Sequence, residues 1–411
     1  MGPKVLLVTT NRWYATARLA MAFRKVGVVV DVACPAGHPV RQTAAFGAVY
    51  SVRGASPLAS IRSAIQAAHA EIVIPADDLA RTILHQIHAQ CVRRPAAGAA
   101  LASMLEQSLG EPSCFAAIDS RSALIQLAQA EGIAAPATGV VRSPDEVRAW
   151  IARNEGPVVL KTDGTSGGLG VKIATTPAEA ETAFQRLNSP PDAARTIKRA
   201  LVDNDWSLVR PFAARRSPVI NVQQFIPGAD ATIAVACWQG RVLASISVEV
   251  LRTWKAKGPA SVVRIIHNPE ILLAAQKLSA RLHLSGLYGF DFVLRETDGA
   301  PVLIEMNPRA TQTAHLPLGT GQDLPSALVA AAAGEPPPET VSITDNDTIA
   351  LFPLEWLNDS ASPYLTSAYH DVPWEEPRLV SLSVKTKLSN GGWLTYDTLD
   401  RLTSRWLRRP R

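Results

Sequence analysis

The sequence predicts a protein of mixed α/β and α+β class that begins with a Rossmann-like parallel α/β domain. In the first part of the chain, short apolar runs alternate with helical stretches, which is typical of a parallel sheet covered by helices. Farther along, strand-like runs follow one another across turns and loops, which indicates antiparallel pairing. The length of 411 residues exceeds what one ordinary hydrophobic core organises, so two or three domains are expected.

The N-terminal domain is predicted from apolar strands at 4–10, 28–33 and 71–75, with helices at 15–26 and 79–89. No Gly-x-Gly-x-x-Gly loop follows the first strand, so a dinucleotide site is not expected there. Asp77 and Asp78 follow the last of these strands. Ligands in such sheets bind beyond the carboxyl ends of strands, so both side chains are expected to border a cleft.

The middle of the chain predicts a smaller lobe. Helices are expected from Arg121 to Ala130, after the cap at Ser143, and at 177–187, because each has a suitable start signal or helical spacing. Strands are expected at 138–141, 157–161, 171–174 and from Asn221 onward. Residues 188–218 are polar and basic, and we predict a mobile stretch on this lobe.

A glycine-rich loop separates the strand that ends at Lys161 from the strand at 171–174. Glycine lets backbone N–H groups approach a phosphate chain closely, and a lysine supplies a point charge. The run Gly164-Thr165-Ser166-Gly167-Gly168 also matches a hydrolase nucleophile elbow, but that motif needs a helix after the serine. A Walker loop is absent, since no Gly-Lys-Ser/Thr enters a helix. A plain glycine-rich hairpin with a surface lysine remains an alternative for this loop considered alone.

A predicted β-hairpin carries the most informative residues of the chain. Two runs with strand character, 289–294 and 302–309, flank a turn at Asp298-Gly299. Antiparallel pairing sets Asp291 across from Glu305 to within a residue of register, and Asn307 shares the face of Glu305. Such oxygen donors suit Mg2+, which uses one or two carboxylates together with substrate phosphates. The alternative is two solvated acids followed by a strand-ending Asn-Pro.

Composition limits the classes of function. Hydrophobic residues make up 47% and charged residues 19%, which is typical of a folded soluble protein. No apolar run reaches the roughly 18 residues of a membrane helix, and no secretory signal is expected, so a cytoplasmic protein without a membrane partner is predicted. Four separated cysteines are expected to be reduced packing residues. Much of the net charge of +5 lies in the tail at 401–411, which we interpret as a solvated last helix and frayed end; contact with nucleic acid or an anionic membrane is the alternative.

Taken in order, four motifs resemble those of the ATP-grasp superfamily, of the carboxylate–amine ligase type. They are Lys161 with its glycine loop, Gln223-Gln224-Phe225-Ile226-Pro227-Gly228, Gly289-Phe290-Asp291-Phe292, and Ile304-Glu305-Met306-Asn307-Pro308-Arg309. The resemblance implies a two-lobed ATP-grasp fold after the N-terminal domain. Its expected boundaries are 1–110 for the preceding α/β domain, 111–222 for the part with the glycine-rich lid, 223–335 for the lobe with the metal site, and 336–411 for a small mixed C-terminal region.

The resemblance also implies ATP and Mg2+ or Mn2+ as cofactors, and it assigns roles to particular residues. Phosphate contacts fall to Arg121, Lys161 and the loop residues Gly164, Ser166, Gly167 and Gly168. Arg121 stands where the family usually has a lysine, which keeps the charge. Adenine contacts fall to Gln223, Gln224, Phe225 and Ile226, and ribose contacts to Asp230. Many members have an acid at the position of Gln223. The metal ligands are Asp291, Glu305 and Asn307.

The implied chemistry is attack of a substrate carboxylate on the γ-phosphate, followed by displacement of phosphate by an amine. Arg309 and Arg264 are the candidate catalytic residues for holding the acceptor carboxylate or the acyl phosphate. The partners are therefore small-molecule carboxylic acids and amines, and homodimers are common among similar proteins. Peptide-forming members such as D-alanine:D-alanine ligase carry an arginine where this chain has Gly289, which argues against that assignment. A non-catalytic ATP-binding module and a kinase are the alternatives.

Overall fold

The computed structural model describes residues 2–154, 156–163, 170–189, 218–254 and 258–389, with the single positions 193, 196, 209 and 212. The glycine-rich loop at 164–169, most of the stretch at 188–218 and the basic tail at 401–411 lie outside the described residues. Among the helices of the described part, none combines the length and the apolar character that crossing a bilayer requires.

The N-terminal domain contains the expected parallel sheet, with one strand more than the sequence predicted. Its four strands lie in the order β3-β2-β1-β4, and every pairing is parallel. The strands are β1 Val5–Val8, β2 Val30–Cys34, β3 Phe46–Ser51 and β4 Ile72–Pro75, and the helices are α1 Tyr14–Lys25, α2 Pro57–Ala68, α3 Asp78–Val92 and α4 Pro95–Leu109. We did not predict β3 or α2, because β3 is a half-buried edge strand without a continuous apolar run.

Asp77 organises the carboxyl edge of this sheet. Its carboxylate caps α3 by accepting the backbone N–H of Ala80 at 2.9 Å, and it accepts the hydroxyls of Thr9 and Thr10 at 2.8 Å each. The side chain is 5% exposed. Asp77 therefore holds the loop after β1 against the start of α3, which is a structural role.

The smaller lobe is an antiparallel sheet of four strands in the order β5-β8-β6-β7. Its strands are β5 Thr138–Val141, β6 Val158–Thr162, β7 Val171–Ala174 and β8 Ile220–Gln224. Helices α5 Phe115–Ile118 and α6 Arg121–Ala130 precede it, and α7 Pro144–Arg153 and α8 Pro177–Asn188 pack on it through Trp150 and Phe184. Because β7 follows the glycine-rich loop, the nucleophile-elbow interpretation lacks its helix.

The larger lobe is a seven-stranded sheet in the order β13-β12-β9-β10-β11-β14-β15. Its strands are β9 Gly228–Trp238, β10 Arg241–Thr253, β11 Ala260–Ile265, β12 Gly286–Arg295, β13 Pro301–Asn307, β14 Thr348–Ala350 and β15 Tyr369–His370. The remaining helices are α9 Pro269–Arg281, α10 Leu324–Ala332, α11 Leu354–Asn358, α12 Tyr364–Ser367 and α13 Pro377–Ser389. Strands β14 and β15 belong to the predicted C-terminal region, yet they extend this sheet.

Both faces of the larger sheet are buried. On one face, Ile233 and Phe290 share a core with Ile271 of α9. On the other, Ala234 and Val248 share a core with Phe23 of α1. The N-terminal domain and the larger lobe therefore share hydrophobic cores, and burial of this apolar surface fixes how they lie against each other.

A β-bulge at Ile304 sets the register of the hairpin formed by β12 and β13. Close to the turn, Phe292 pairs with Leu303, but one step farther Asp291 pairs with Glu305. Ile304 is the extra residue between these pairs, so Glu305 and the residues after it change faces. Without the bulge Glu305 would pair with Phe290 and point into the core. The bulge therefore places both carboxylates on one face.

A buried ionic cluster joins α1, the segment after β13 and the C-terminal region. Arg18 forms an ion pair with Asp371, and His315 Nε2 lies 2.7 Å from Asp371 Oδ2. All three side chains are less than a tenth exposed. Burial alone would raise the pKa of Asp371, but its two partners outweigh burial and lower that pKa. His315 therefore has a structural role.

Candidate functional site

Asp291, Glu305 and Asn307 converge on one face of the hairpin, as the sequence predicted. Asn307 Nδ2 donates to Asp291 Oδ2 at 2.8 Å, and Asp291 and Glu305 are direct cross-strand partners. Burial raises the pKa of Asp291 to about 6, and the charge of Glu305 adds to the effect. Two carboxylates held together at this energetic cost fit a divalent cation, which would relieve their repulsion.

The oxygen-donor set depends on the amide. Among the described residues, His, Cys, Asp and Glu alone do not form a group of three that could hold a metal ion. Asn307 supplies the third donor without adding charge. Two carboxylates plus one amide oxygen, with room left for phosphate oxygens and water, is a set that suits Mg2+ or Mn2+.

The bulge also exposes a backbone acceptor to the smaller lobe. The carbonyl oxygen of Ile304 accepts Lys161 Nζ at 3.5 Å and Gln223 Nε2 at 3.3 Å. Lys161 Nζ also lies 4.0 Å from Glu305 Oε2. Burial lowers the pKa of Lys161, and the charge of Glu305 opposes that shift. Lys161 of β6 in the smaller lobe therefore lies close to Glu305 of β13 in the larger lobe.

Arg121 brings a second cation to the same place from the first turn of α6. Its NH1 lies 2.6 Å from Glu305 Oε1, and its Nε lies 3.7 Å from Asp163 Oδ1. Asn221 Nδ2 donates to the same Asp163 oxygen at 2.8 Å. Burial raises the pKa of Asp163, although the charge of Arg121 opposes the shift. Asp163, which we did not predict as a site residue, therefore helps to orient Arg121.

Arg121, Asp163 and Glu305 line a cleft between the lobes and the N-terminal domain, and about 490 Å³ of space, part of it open solvent, lies within it. Its lining combines cations, carboxylates and a few apolar groups. The lining residues are Asp78, Arg81, Ile118, Asp119, Arg121, Leu124, Asp163, Ile304, Glu305, Met306 and Pro308. Sequence analysis missed Arg81 and Asp119, which form an ion pair on the wall of this cleft. No motif marks either residue, because the pair joins α3 to the segment after α5.

The predicted adenine and ribose contacts lie at the junction of the lobes. The backbone N–H of Gln224 donates to Ala137 O at 2.9 Å, and that of Phe225 donates to Pro157 O at 2.9 Å. Asp230 and Thr232 are two residues apart on β9, so their side chains lie on the same face of the larger sheet. Asp291 pairs with Thr232, just as Val293 pairs with Asp230, so Asp230 and Asp291 share that face. Burial raises the pKa of Asp230, and the charge of Lys161 opposes this shift.

Arg309 lies beside the metal-ligand candidates but is engaged by the protein. Its Nε donates to Asp78 Oδ2 at 3.2 Å, its NH2 donates to Asn307 Oδ1 at 3.2 Å, and its NH1 donates to Ala310 O at 3.3 Å. The guanidinium carbon also lies over the Trp13 ring, 4.9 Å from the ring centroid. Burial would raise the pKa of Asp78, but the neighbouring arginine charges outweigh it and lower that pKa.

Arg264 is not brought to this group. It pairs in register with Glu249, with Arg264 NH2 2.5 Å from Glu249 Oε2. Its neighbour Ile265 pairs with Val248, which pairs with Thr232, the partner of Asp291. Since side chains alternate along a strand, Arg264 points to the opposite face from Asp291. Sequence alone places Arg264 along the chain, but the register of β11 decides which face of the sheet it occupies.

Comparison with known proteins agrees with this architecture. Residues 216–351 match the family described as ATP-grasp in the biosynthetic pathway with Ter operon. Comparison with curated protein sequences returns no match. Among solved structures, the chain is similar to biotin carboxylase from Campylobacter jejuni, with a TM-score of 0.59 and 14% identity over 84% of this chain and 74% of that one.

Two further structures share the fold. One is the biotin carboxylase domain dimer of 2-oxoglutarate carboxylase from Hydrogenobacter thermophilus, in complex with MgADP, ADP and bicarbonate. Its TM-score is 0.57 at 15% identity, over 82% of this chain and 70% of that one. The other is N5-carboxyaminoimidazole synthetase from Staphylococcus aureus, with a TM-score of 0.56 at 11% identity, over 82% and 79%. The chain therefore shares the fold of these three structures, and its residues 216–351 match an ATP-grasp family model.

Proposed function

We propose that this protein is an ATP-dependent ligase that activates a small-molecule carboxylate and joins it to an amine. The observation that carries the proposal is the convergence of Lys161 and Arg121 on Glu305, next to Asp291 and Asn307. Two cations and a divalent-cation site at one point suit a triphosphate, whose charge must be neutralised while its terminal phosphoryl group moves. The fold and the partial family match support this choice.

In the proposed reaction, an oxygen of the substrate carboxylate attacks the γ-phosphorus, and the bond to the bridging oxygen breaks to release ADP. The amine nitrogen then attacks the acyl carbon, the bond to the phosphate oxygen breaks, and the amine loses a proton. The products are an amide, ADP and phosphate. When bound, Mg2+ or Mn2+ would neutralise the β- and γ-phosphate oxygens. Asp291, Glu305 and Asn307 would hold it.

The other roles follow from position. Lys161 and Arg121 would bind phosphate oxygens, exchanging part of their contact with Glu305 for the nucleotide. Asp230 would accept ribose hydroxyls, and the segment Gln223, Gln224, Phe225 and Ile226 would contact adenine. Gly164, Ser166, Gly167 and Gly168 are proposed to cover the phosphates. Their part is a prediction from sequence.

Arg309 retains capacity for an anion. Arginine has five N–H donors, and three are engaged by Asp78, Asn307 and Ala310. We propose that the remaining donors bind the acyl phosphate, with no need to break the existing contacts. Arg264 is left out of the proposed reaction because it points to the other face of the sheet.

The test is a screen of carboxylic acids and amines for Mg2+-dependent ADP release. ADP and phosphate formed only with both substrates, and abolished by EDTA, would support ligation. AMP and pyrophosphate as products would contradict it. A stable phosphorylated product without amide would indicate the kinase alternative, and ATP binding without turnover of any pair would indicate a non-catalytic module.

Two substitutions with matched controls locate the activity. Lys161→Met and Glu305→Gln should each lower kcat/KM by about 100-fold or more, because each removes charge placed for the transition state. Lys172→Met on the adjacent strand and Glu296→Gln beside the hairpin turn change the same residue types at exposed positions. The control variants should keep near wild-type rates. Wild-type rates in Lys161→Met and Glu305→Gln would show that the site is elsewhere.

A further inference from the structure

A continuous chain of contacts links the N-terminal domain to the proposed metal site. Asp78 Oδ2 accepts from Arg309 Nε at 3.2 Å, Arg309 NH2 donates to Asn307 Oδ1 at 3.2 Å, and Asn307 Nδ2 donates to Asp291 Oδ2 at 2.8 Å. The side chain of Arg309 is 7% exposed. The arginine at the centre of the chain is therefore largely shielded from water, whereas Asp78 at its outer end is 25% exposed.

The chemistry of these groups fixes the orientation of the Asn307 amide. A guanidinium can only donate, so the atom of Asn307 that faces Arg309 must be its oxygen. A carboxylate can only accept, so the atom that faces Asp291 must be the amide nitrogen. The carbonyl oxygen has a second lone pair, and its direction depends on where Arg309 holds the first. That second lone pair is the one available to a cation.

Arg309 is in turn held by the N-terminal domain. Asp78 is the first residue of α3, and Trp13 ends the loop that Asp77 ties to the same edge. The Trp13 ring lies 4.9 Å from the guanidinium carbon, on its flat face. The backbone adds a third tie, since Ala310 N donates to Pro75 O at 3.1 Å.

We propose that Asp78 is a positioning residue for the metal site, acting through Arg309 on Asn307. The inference rests on the proposed function, because it assumes that Asn307 is a metal ligand. Partners that orient a metal ligand commonly change metal affinity by 10–100-fold when they are removed. The N-terminal domain is then part of the cation site, and its carboxyl edge is energetically coupled to cation binding. By linkage, a ligand that moved Asp78 or Trp13 would change the cation affinity, and the cation would change the affinity for that ligand equally.

The experiment measures Mn2+ affinity of the full-length protein in the presence of a non-hydrolysable ATP analogue, by the electron paramagnetic resonance signal of free Mn2+. No acid or amine substrate is required. Asp78→Asn should weaken Mn2+ binding by about 10–100-fold. Asp78→Glu, which keeps the carboxylate, should recover most of that loss. Arg309→Lys should lose as much as Asp78→Asn, because one ammonium cannot reproduce the fork that joins Asp78 to Asn307.

Asp145→Asn is the matched control, because Asp145 also pairs with an arginine, Arg148, but its side chain is 83% exposed on α7 of the smaller lobe. It removes the same charge outside the chain of contacts, so its Mn2+ affinity should stay within about twofold of wild type. Unchanged melting temperatures would show that the variants are folded. Equal losses in Asp78→Asn and Asp145→Asn, or no loss in Asp78→Asn, would overturn the inference. Failure of the wild-type protein to take up Mn2+ with the analogue would instead overturn the proposed function.

Discussion

Replacing Gly289 by alanine tests how tightly β12 packs against Thr311. The informative quantity is the sign of the change in the free energy of unfolding. A Cβ at position 289 would lie 2.4 Å from Thr311 Cγ2 and 3.6 Å from Asn307 Cβ. Carbon atoms normally approach to about 3.5–4.0 Å, so Thr311 would have to retreat by about 1 Å. Forcing such a shift typically costs about 1–3 kcal/mol. Gly289 does not have a positive φ, so alanine in an open strand site would instead stabilise by about 0.5–1 kcal/mol.

The cost of moving Thr311 and the gain from replacing glycine in a strand together predict a net loss of about 0–2.5 kcal/mol in the free energy of unfolding. Urea unfolding of the wild type, Gly289→Ala, Thr311→Ser and the double variant measures it. Thr311→Ser removes the Cγ2 methyl and keeps the hydroxyl, so Gly289→Ala in that background should be neutral or stabilising. An equal loss in both backgrounds would refute the reasoning, because the contact with Thr311 would then not be its cause.

Three further outcomes are expected from the buried ionisable groups. Asp371→Asn should lower the free energy of unfolding by about 3–5 kcal/mol, because Arg18 is left buried without its counter-charge. The control is Glu375→Gln, which breaks a half-exposed surface pair with Lys25 and should change the free energy of unfolding by less than about 1 kcal/mol. Since the pKa of Asp371 is lowered, its contribution is complete above about pH 4 and disappears as the pH falls through its folded pKa, so the wild type and Asp371→Asn should converge in stability in acid. Burial lowers the pKa of His38 to about 3 and that of His370 to about 4, so protonation of the unfolded chain below about pH 6.5 should reduce stability by about 1.4 kcal/mol per pH unit for each histidine. Stability that is flat between pH 5 and 7 would contradict this last expectation.

The elements that could be predicted from the sequence are those with strong local signals. The parallel strands β1, β2 and β4 are continuous runs that are apolar except at Asp31, and the turn at Asp298-Gly299 indicated the acidic hairpin. Strand β3 was not predicted, because it is a half-buried edge strand and therefore lacks a continuous apolar run. The glycine loop was recognised by composition, and it lies outside the described residues.

The site shows why register and distant partners cannot be read from a single sequence. The pairing of Asp291 with Glu305 was expected to within one residue, and only the structure reveals the bulge that decides it. Arg264 was expected in the cleft, but strand alternation turns it away. The partner of Arg309 is Asp78, 231 positions earlier in the chain, and no local sequence pattern at either residue predicts the contact.

The bulge at Ile304 is the feature that a change in the length of β13 would alter first. Deleting Ile304 would close the ladder, so that Glu305 followed Leu303 directly and still paired with Asp291. The carboxylates would stay on one face, but the carbonyl oxygen that accepts Lys161 and Gln223 would be lost with the deleted residue. An inserted residue at the turn near Asp298 would only lengthen the loop. A β13 shortened by this one residue should therefore keep its facing carboxylates and lose its hydrogen bonds to the smaller lobe.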